Sequence, residues 1–162
     1  MQNERAAVKQ EAAASFEAEG AIFLLVASGL FFAMETLFHY ESFLHQITLK
    51  SISSEALALV IGSAIISLIY FWMGFSCWRS RGDPENFAIA MFVSGFFVFS
   101  YFVVEITASA FPQFFYASYL DYAQFVSGYG SVTIFVEMLA LFFTYRAEKL
   151  LRHSTIFVPS DR

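Results

Sequence analysis

Four long runs of apolar residues alternate with short polar segments along this chain. The runs cover residues 21–40, 56–78, 87–110 and 127–145, and each has about the twenty residues that a helix needs to cross a bilayer. Backbone amides find no water in hydrocarbon, so a continuous run of this kind predicts a helix rather than an isolated strand. The pattern therefore predicts an all-α integral membrane protein, with four transmembrane helices forming a bundle.

The connections between these runs are short and carry helix-breaking residues. The second and third runs are joined by RSRGDPEN, in which Asp83 or Asn86 is suited to cap the following helix. The longer stretch from Phe111 to Val126 is rich in Tyr and Phe and poor in charge. Because aromatic side chains favour the boundary between membrane and water, we expect this stretch to lie along that interface between helices three and four.

Positive charge is distributed very unevenly along the chain. Eight of the nine Lys and Arg residues precede the first run, lie between the second and third, or follow the fourth, and the exception is Lys50. Under the positive-inside rule this predicts that both termini are cytoplasmic, which requires an even number of spans. Residues 1–19 are rich in Ala and Glu and have no breaker before Gly20. We expect residues 1–19 to form a cytoplasmic helix, either solvated or docked on a partner. We expect residues 147–162 to form a cytoplasmic tail.

The overall composition agrees with a membrane location and excludes several classes of protein. The chain is 58% hydrophobic and 14% charged, whereas soluble domains are about 25% charged. A net charge of -5 without a basic patch excludes nucleic acid as a partner, and the single cysteine, Cys77, excludes an internal disulfide. The acidic N-terminal segment fits neither a signal peptide nor a mitochondrial presequence. We expect a protein integral to a membrane of the bacterial inner type and in contact with its lipid.

Three glutamates lie inside the apolar runs, which contain no Lys or Arg: Glu35, Glu105 and Glu137. A carboxylate within a bilayer costs at least a few kcal/mol, so each of them needs a proton or a partner. At helical spacing each glutamate shares one face of its helix with small or polar residues. The second run, which has no glutamate, also has a face of small residues, and such faces let helices approach closely. The residues expected to face inward beside the glutamates are Ala21, Ser28, Ser42, Gly62, Ser63, Ser67, Gly74, Ser94, Tyr101, Ala108, Gly130, Thr133, Ala140 and Thr144.

The three glutamates allow four interpretations. They are neutral or hydrogen-bonded to neighbouring hydroxyl groups and specify how the helices pair, or they bind a proton or cation along a transport path, together with His39 one turn after Glu35. They meet a basic residue of another subunit, or Glu35, His39 and Glu105 hold a metal. Bundles that bind two irons use paired Glu-x-x-His motifs, and the chain contains none. A metal site is accordingly not predicted.

Signatures of enzyme chemistry are missing from the sequence, which has no Walker motif, no His-Glu-x-x-His and no Gly-x-Ser-x-Gly. Its 22 Phe residues provide rigid surfaces that can contact lipid, quinone, pigment or another protein, and no cofactor is predicted. We expect a non-catalytic accessory subunit of an energy-converting or transport complex, with other membrane subunits as partners. The alternative is a stand-alone or homo-oligomeric proton- or cation-coupled transporter or channel. A third hypothesis is a membrane enzyme acting on lipid or isoprenoid, with Glu35 and His39 as acid and base.

Overall fold

Four α-helices account for nearly all of the chain that the computed structural model describes, which is residues 2–48, 54–110 and 117–156. Their bounds are Gln2–Thr48 (α1), Ser54–Arg79 (α2), Pro84–Ala110 (α3) and Ala117–Ile156 (α4). Side chains are described within these ranges except for residues 2–7, 42, 54–56, 104–105, 107–110, 117–131 and 154–156. The all-α prediction is confirmed.

Three helices in the described part of the chain are long and apolar enough to cross a membrane, through the segments Val8–Thr48, Leu57–Arg79 and Pro84–Val103. This length and composition agree with a protein integral to a membrane. The fourth predicted span lies within α4, whose side chains are described only for residues 132–153. In the aromatic stretch expected at the interface, residues 111–116 lie outside the described chain and residues 117–126 form the first part of α4.

Helices α1 and α4 are much longer than the spans predicted within them. Helix α1 has 47 residues, which corresponds to about 70 Å at 1.5 Å per residue. The predicted N-terminal helix and first span thus form one continuous helix through Gly20, because a glycine costs only about 1 kcal/mol relative to alanine inside a helix. The Phe143 ring of α4 packs against that glycine, and a Cβ at this position would lie 2.7 Å from it. Likewise α4 continues into the predicted tail as far as Ile156.

The helices pack as a four-cornered bundle. Helix α1 packs along both α2 and α4, α3 packs along α4, and α2 touches α3 at only a few positions. In the described part of the chain, the diagonal pairs α1–α3 and α2–α4 make no close backbone contact. Two hydrogen bonds fix the antiparallel register of α1 and α2: Ser67 Oγ donates to the Gly29 carbonyl at 2.9 Å, and Thr36 Oγ1 donates to Ser63 Oγ at 3.0 Å.

The small and polar stripes expected to face inward do so wherever their side chains are described, although Glu35, Gly62 and Tyr101 are only partly buried. Those that are buried are Ala21, Ser28, Ser63, Ser67, Gly74, Ser94, Thr133, Ala140 and Thr144. Gly62 is only partly buried, and the space around it is open. The opposite helix faces expose large apolar side chains, as lipid contact requires, for example Phe23, Leu68 and Phe92.

The turn between α2 and α3 is closed by the aspartate expected to cap the next helix. Asp83 Oδ1 accepts a hydrogen bond of 3.0 Å from the Glu85 amide, which satisfies one of the free amides at the start of α3. Asp83 Oδ2 accepts a second bond of 2.9 Å from Asn86 Nδ2. Ser76 Oγ in turn donates to Asn86 Oδ1 at 3.1 Å, so this turn is tied to the end of α2.

Two ion pairs join α1 to its neighbours at the end of the bundle that contains this turn. Glu17 lies 2.8 Å from Arg146 of α4, and Glu19 lies 3.7 Å from Arg81 of the α2–α3 turn. We call these four residues the charged layer. Beyond it, residues 8–16 of α1 run alongside residues 147–153 of α4, and we call this pair of segments the two-helix extension.

The packing predicts opposite responses to alanine at two glycines of α2. A Cβ at Gly74 would lie 2.9 Å from Val26 Cγ2, whereas a Cβ at Gly62 would meet nothing within 4 Å. We expect Gly74→Ala to lower the free energy of unfolding by about 1–3 kcal/mol through overpacking. Gly62→Ala should leave it unchanged or raise it by up to about 1 kcal/mol. Unfolding in mixed micelles of increasing SDS content measures both, and equal shifts for the two variants would contradict this packing.

Candidate functional site

The carboxyl group of Glu137 lies inside the bundle rather than against lipid. Glu137 is 3% exposed, and its Oε1 accepts a hydrogen bond of 3.1 Å from the hydroxyl of Tyr70, which is 0% exposed. Tyr70 belongs to α2 and Glu137 to α4, the two helices at opposite corners of the bundle. This hydrogen bond therefore crosses the centre of the bundle. It provides the buried carboxyl with a polar partner, without which burial would cost several kcal/mol.

The ring of Tyr70 is held by one aromatic residue from each of the other two helices. Its centroid lies 5.7 Å from that of Phe32 on α1, with an angle of 11° between the planes. On the other side it lies 5.6 Å from the centroid of Phe97 on α3, at 35°. These separations are those of favourable aromatic pairs. We call Phe32, Tyr70, Phe97 and Glu137 the central layer, because it takes one side chain from each helix.

Two serines lie beside the central layer with their hydroxyl groups buried. Ser28 precedes Phe32 by one turn of α1, and Ser94 precedes Phe97 by one turn of α3. They are 1% and 0% exposed, and neither Oγ finds a hydrogen-bond partner among the described residues. Every helix thus contributes a polar side chain to the middle of the bundle.

The other sequence-predicted site residues lie apart from this centre. His39 Nε2 is 3.4 Å from Glu35 Oε1, so the expected neighbours one turn apart do meet. Their side chains are 11% and 18% exposed, respectively. Glu35 lies about 10 Å along α1 from Ser28. Glu105 belongs to α3, but its side chain lies outside the described part of the structure.

The arrangement suits hydrogen bonding and the holding of a proton more than it suits metal binding. Within the described residues, no group of three or more His, Cys, Asp or Glu side chains is placed to hold a metal ion. Glu137 has instead a hydroxyl partner and an aromatic enclosure. A carboxyl group in such surroundings can act as a structural hydrogen-bonding group or as a carrier of one proton.

Tyr70 is the site residue that the sequence analysis did not identify. Its position carried a signal, because it lies seven residues after Ser63 and three after Ser67. It therefore shares the small-residue face of α2, where it is the one large polar side chain. Tyrosine in membrane helices is usually found at the interface, and only the tertiary structure shows that this one lies opposite Glu137.

No protein-family model, curated protein or solved structure matches this chain.

Removal of the Tyr70 hydroxyl should destabilise the bundle while leaving the aromatic stack in place. We expect Tyr70→Phe to lower the free energy of unfolding by about 1–3 kcal/mol, because it leaves the Glu137 carboxyl without its partner. Tyr145→Phe is the matched control, since Tyr145 is 48% exposed and should tolerate the change. Glu137→Gln should cost little, because the amide oxygen can accept the same hydrogen bond. SDS-induced unfolding in mixed micelles measures all three variants.

A double-mutant cycle isolates the hydrogen bond from other effects. With Glu137→Leu and Tyr70→Phe combined, the loss should be smaller than the sum of the single losses, because neither partner is then left unsatisfied. Strictly additive losses would show that the two side chains are not energetically coupled.

Proposed function

We propose that this chain is a small non-catalytic accessory subunit of a larger membrane complex, an energy-converting or transport assembly in a bacterial-type inner membrane. In this proposal α4 supplies the fourth transmembrane helix, both termini are cytoplasmic, and the two-helix extension contacts a partner subunit. The observation that carries the proposal is the exposure of apolar side chains on the extension. Val8 is 66% exposed and Phe16 is 69% exposed.

The charged layer supports a position of the extension outside the hydrocarbon. Charged side chains are costly within the bilayer, so a level that contains two acids and two bases is best placed at the membrane surface. Val8 precedes Glu17 by nine residues, which places it about 13 Å beyond that level. Lipid tails do not cover a side chain at such a position, whereas a second protein can.

The exposed apolar residues of the extension form a stripe. Val8, Ala12 and Phe16 recur every four residues and are all exposed, so they lie close together on one side of α1. The stripe leads towards Phe23, which is exposed on the part of α1 that lies within the membrane. Single exposed apolar residues are ordinary, but a stripe continuous with the lipid-facing surface is suited to a partner that is itself embedded in the membrane.

The two segments of the extension pack against each other, which suits the extension to serve as a docking element. Ala14 and Ala18 of α1 are buried in the same apolar cluster as Ala147 and Leu151 of α4. Small residues allow the two helices to approach closely. Ala14 and Ala18 are therefore used inside the molecule, and the stripe at Val8, Ala12 and Phe16 remains available for a partner.

Co-purification tests the accessory-subunit proposal. In mild detergent we expect wild-type protein to retain membrane partners in stoichiometric amounts, and the double variant Val8→Ser with Phe16→Ser to lose them while staying folded. Glu11→Ser is the control, because Glu11 is exposed but lies about 100° around the helix from Ala12, the middle of the stripe. Quantitative mass spectrometry measures the partner ratio. A wild-type protein that purifies with itself alone would rule out the proposal.

The second candidate function is a proton- or cation-coupled transporter or channel that uses Glu35, His39, Glu105 and Glu137. It is favoured by the burial of Glu137 beside two hydroxyl groups that have no partner in the described chain. In vesicles that contain only this protein, we expect such a transporter to carry proton or cation flux, and Glu137→Gln to abolish the flux without loss of folded protein. Absence of wild-type flux would exclude this candidate, and flux retained by the variant would exclude a role for Glu137.

A further inference from the structure

We infer that the centre of the bundle is a binding site for water, in which a small number of water molecules join Glu137 to the hydroxyl groups of Ser28 and Ser94. This network would bring polar side chains of all four helices into one hydrogen-bonded unit. The inference does not depend on whether the chain is an accessory subunit or a transporter, because it concerns only the central layer and the two serines beside it.

The first argument is that the two hydroxyl groups need partners. Both serines are almost fully buried, and neither Oγ has a hydrogen-bond partner among the described residues. A buried hydroxyl group without a hydrogen bond is destabilising, because it has lost its bonds to water and gained none in return. Most buried polar groups of native proteins are satisfied, and those that lack a protein partner are commonly satisfied by buried water.

The second argument is that the hydroxyl groups lie at one level of the bundle. Ser28 is adjacent to Gly29, whose carbonyl accepts the hydrogen bond from Ser67, and Ser67 precedes Tyr70 by one turn. Ser94 precedes Phe97, whose ring packs against that of Tyr70, by one turn of α3. Ser28 and Ser94 are therefore both within about one helical turn, or 5.4 Å, of the level of Tyr70.

The third argument is that the helices are held apart at this level. The Tyr70 ring lies between Phe32 of α1 and Phe97 of α3, and the backbones of α1 and α3 make no close contact in the described residues. Two serine side chains on these helices are too short to bridge the thickness of an aromatic ring. A water molecule, which typically makes about three hydrogen bonds, can connect groups that do not reach each other.

Glu137 has unused hydrogen-bonding capacity for such a network. An ionised carboxylate has about four acceptor positions, and a protonated one has a donor as well. The Tyr70 hydroxyl occupies one acceptor position. Water next to the remaining oxygen would accept a bond from the protonated form or donate one to the ionised form. The Glu137 carboxyl group would therefore have hydrogen-bond partners in both of its protonation states.

Radiolytic labelling of the full-length protein in lipid nanodiscs tests this inference. A short X-ray pulse produces hydroxyl radicals from water, including water held inside a protein, and these radicals modify the nearest side chains. Tyr70 and Phe87 are both aromatic and both 0% exposed, but Phe87 is near the start of α3 and outside the central layer. After correction for intrinsic reactivity, we expect Tyr70 to be modified several-fold faster than Phe87. Equal protection of the two rings would overturn the inference.

A serine variant tests whether the hydroxyl groups hold the water. Ser94→Val replaces the hydroxyl with methyl groups, so it should reduce the modification of Tyr70 to the level of Phe87. Ser100→Val, on the same helix but only partly buried, should leave the ratio unchanged. Undiminished labelling of Tyr70 in folded Ser94→Val would overturn the role of Ser94. If Ser94→Val does not fold, Ser28→Val is measured in its place, and the wild-type comparison alone decides whether the centre is hydrated.

Discussion

The hydrogen bond between Tyr70 and Glu137 is the interaction on which the arrangement of the four helices depends. It joins α2 and α4, which lie at diagonally opposite corners of the bundle and make no close backbone contact of their own in the described chain. In a membrane there is no hydrophobic effect to draw helices together, so packing and polar contacts determine their pairing. A link across the diagonal restrains all four helices together, because the tyrosine ring passes between Phe32 and Phe97 on its way to the carboxyl.

Around this link the bundle uses small residues where helices approach closely and large residues where they meet lipid. Hydroxyl groups of serine and threonine serve the α1–α2 contact directly, as in the bonds from Thr36 to Ser63 and from Ser67 to Gly29. Each such hydrogen bond contributes less than about 2 kcal/mol in membrane proteins, so the α1–α2 contact relies on several of them. The centre differs from this contact because its polar groups come from four helices rather than two.

Much of the bundle could be predicted from the sequence, because the information is local. Apolar run length and small-residue periodicity identify the helices and their buried faces, and Asp83 caps α3 as its position before Pro84 suggests. The reason for a glycine at position 20 could not be predicted in this way, because the space there is taken by Phe143, far along the chain. The pairing of Tyr70 with Glu137 is likewise a tertiary fact, since either residue alone has several plausible environments.

The unbroken course of α1 has a mechanical consequence. A helix without a hinge behaves as a lever, and Ser28 at the bundle centre lies 20 residues, or about 30 Å, from Val8. A tilt of about 5° around the centre would displace the N-terminal tip by roughly 3 Å. The ion pairs of Glu17 and Glu19 lie part-way along this arm and resist such a tilt. A change of side-chain packing at the centre of the bundle would thus be transmitted along α1 to a surface about 30 Å away.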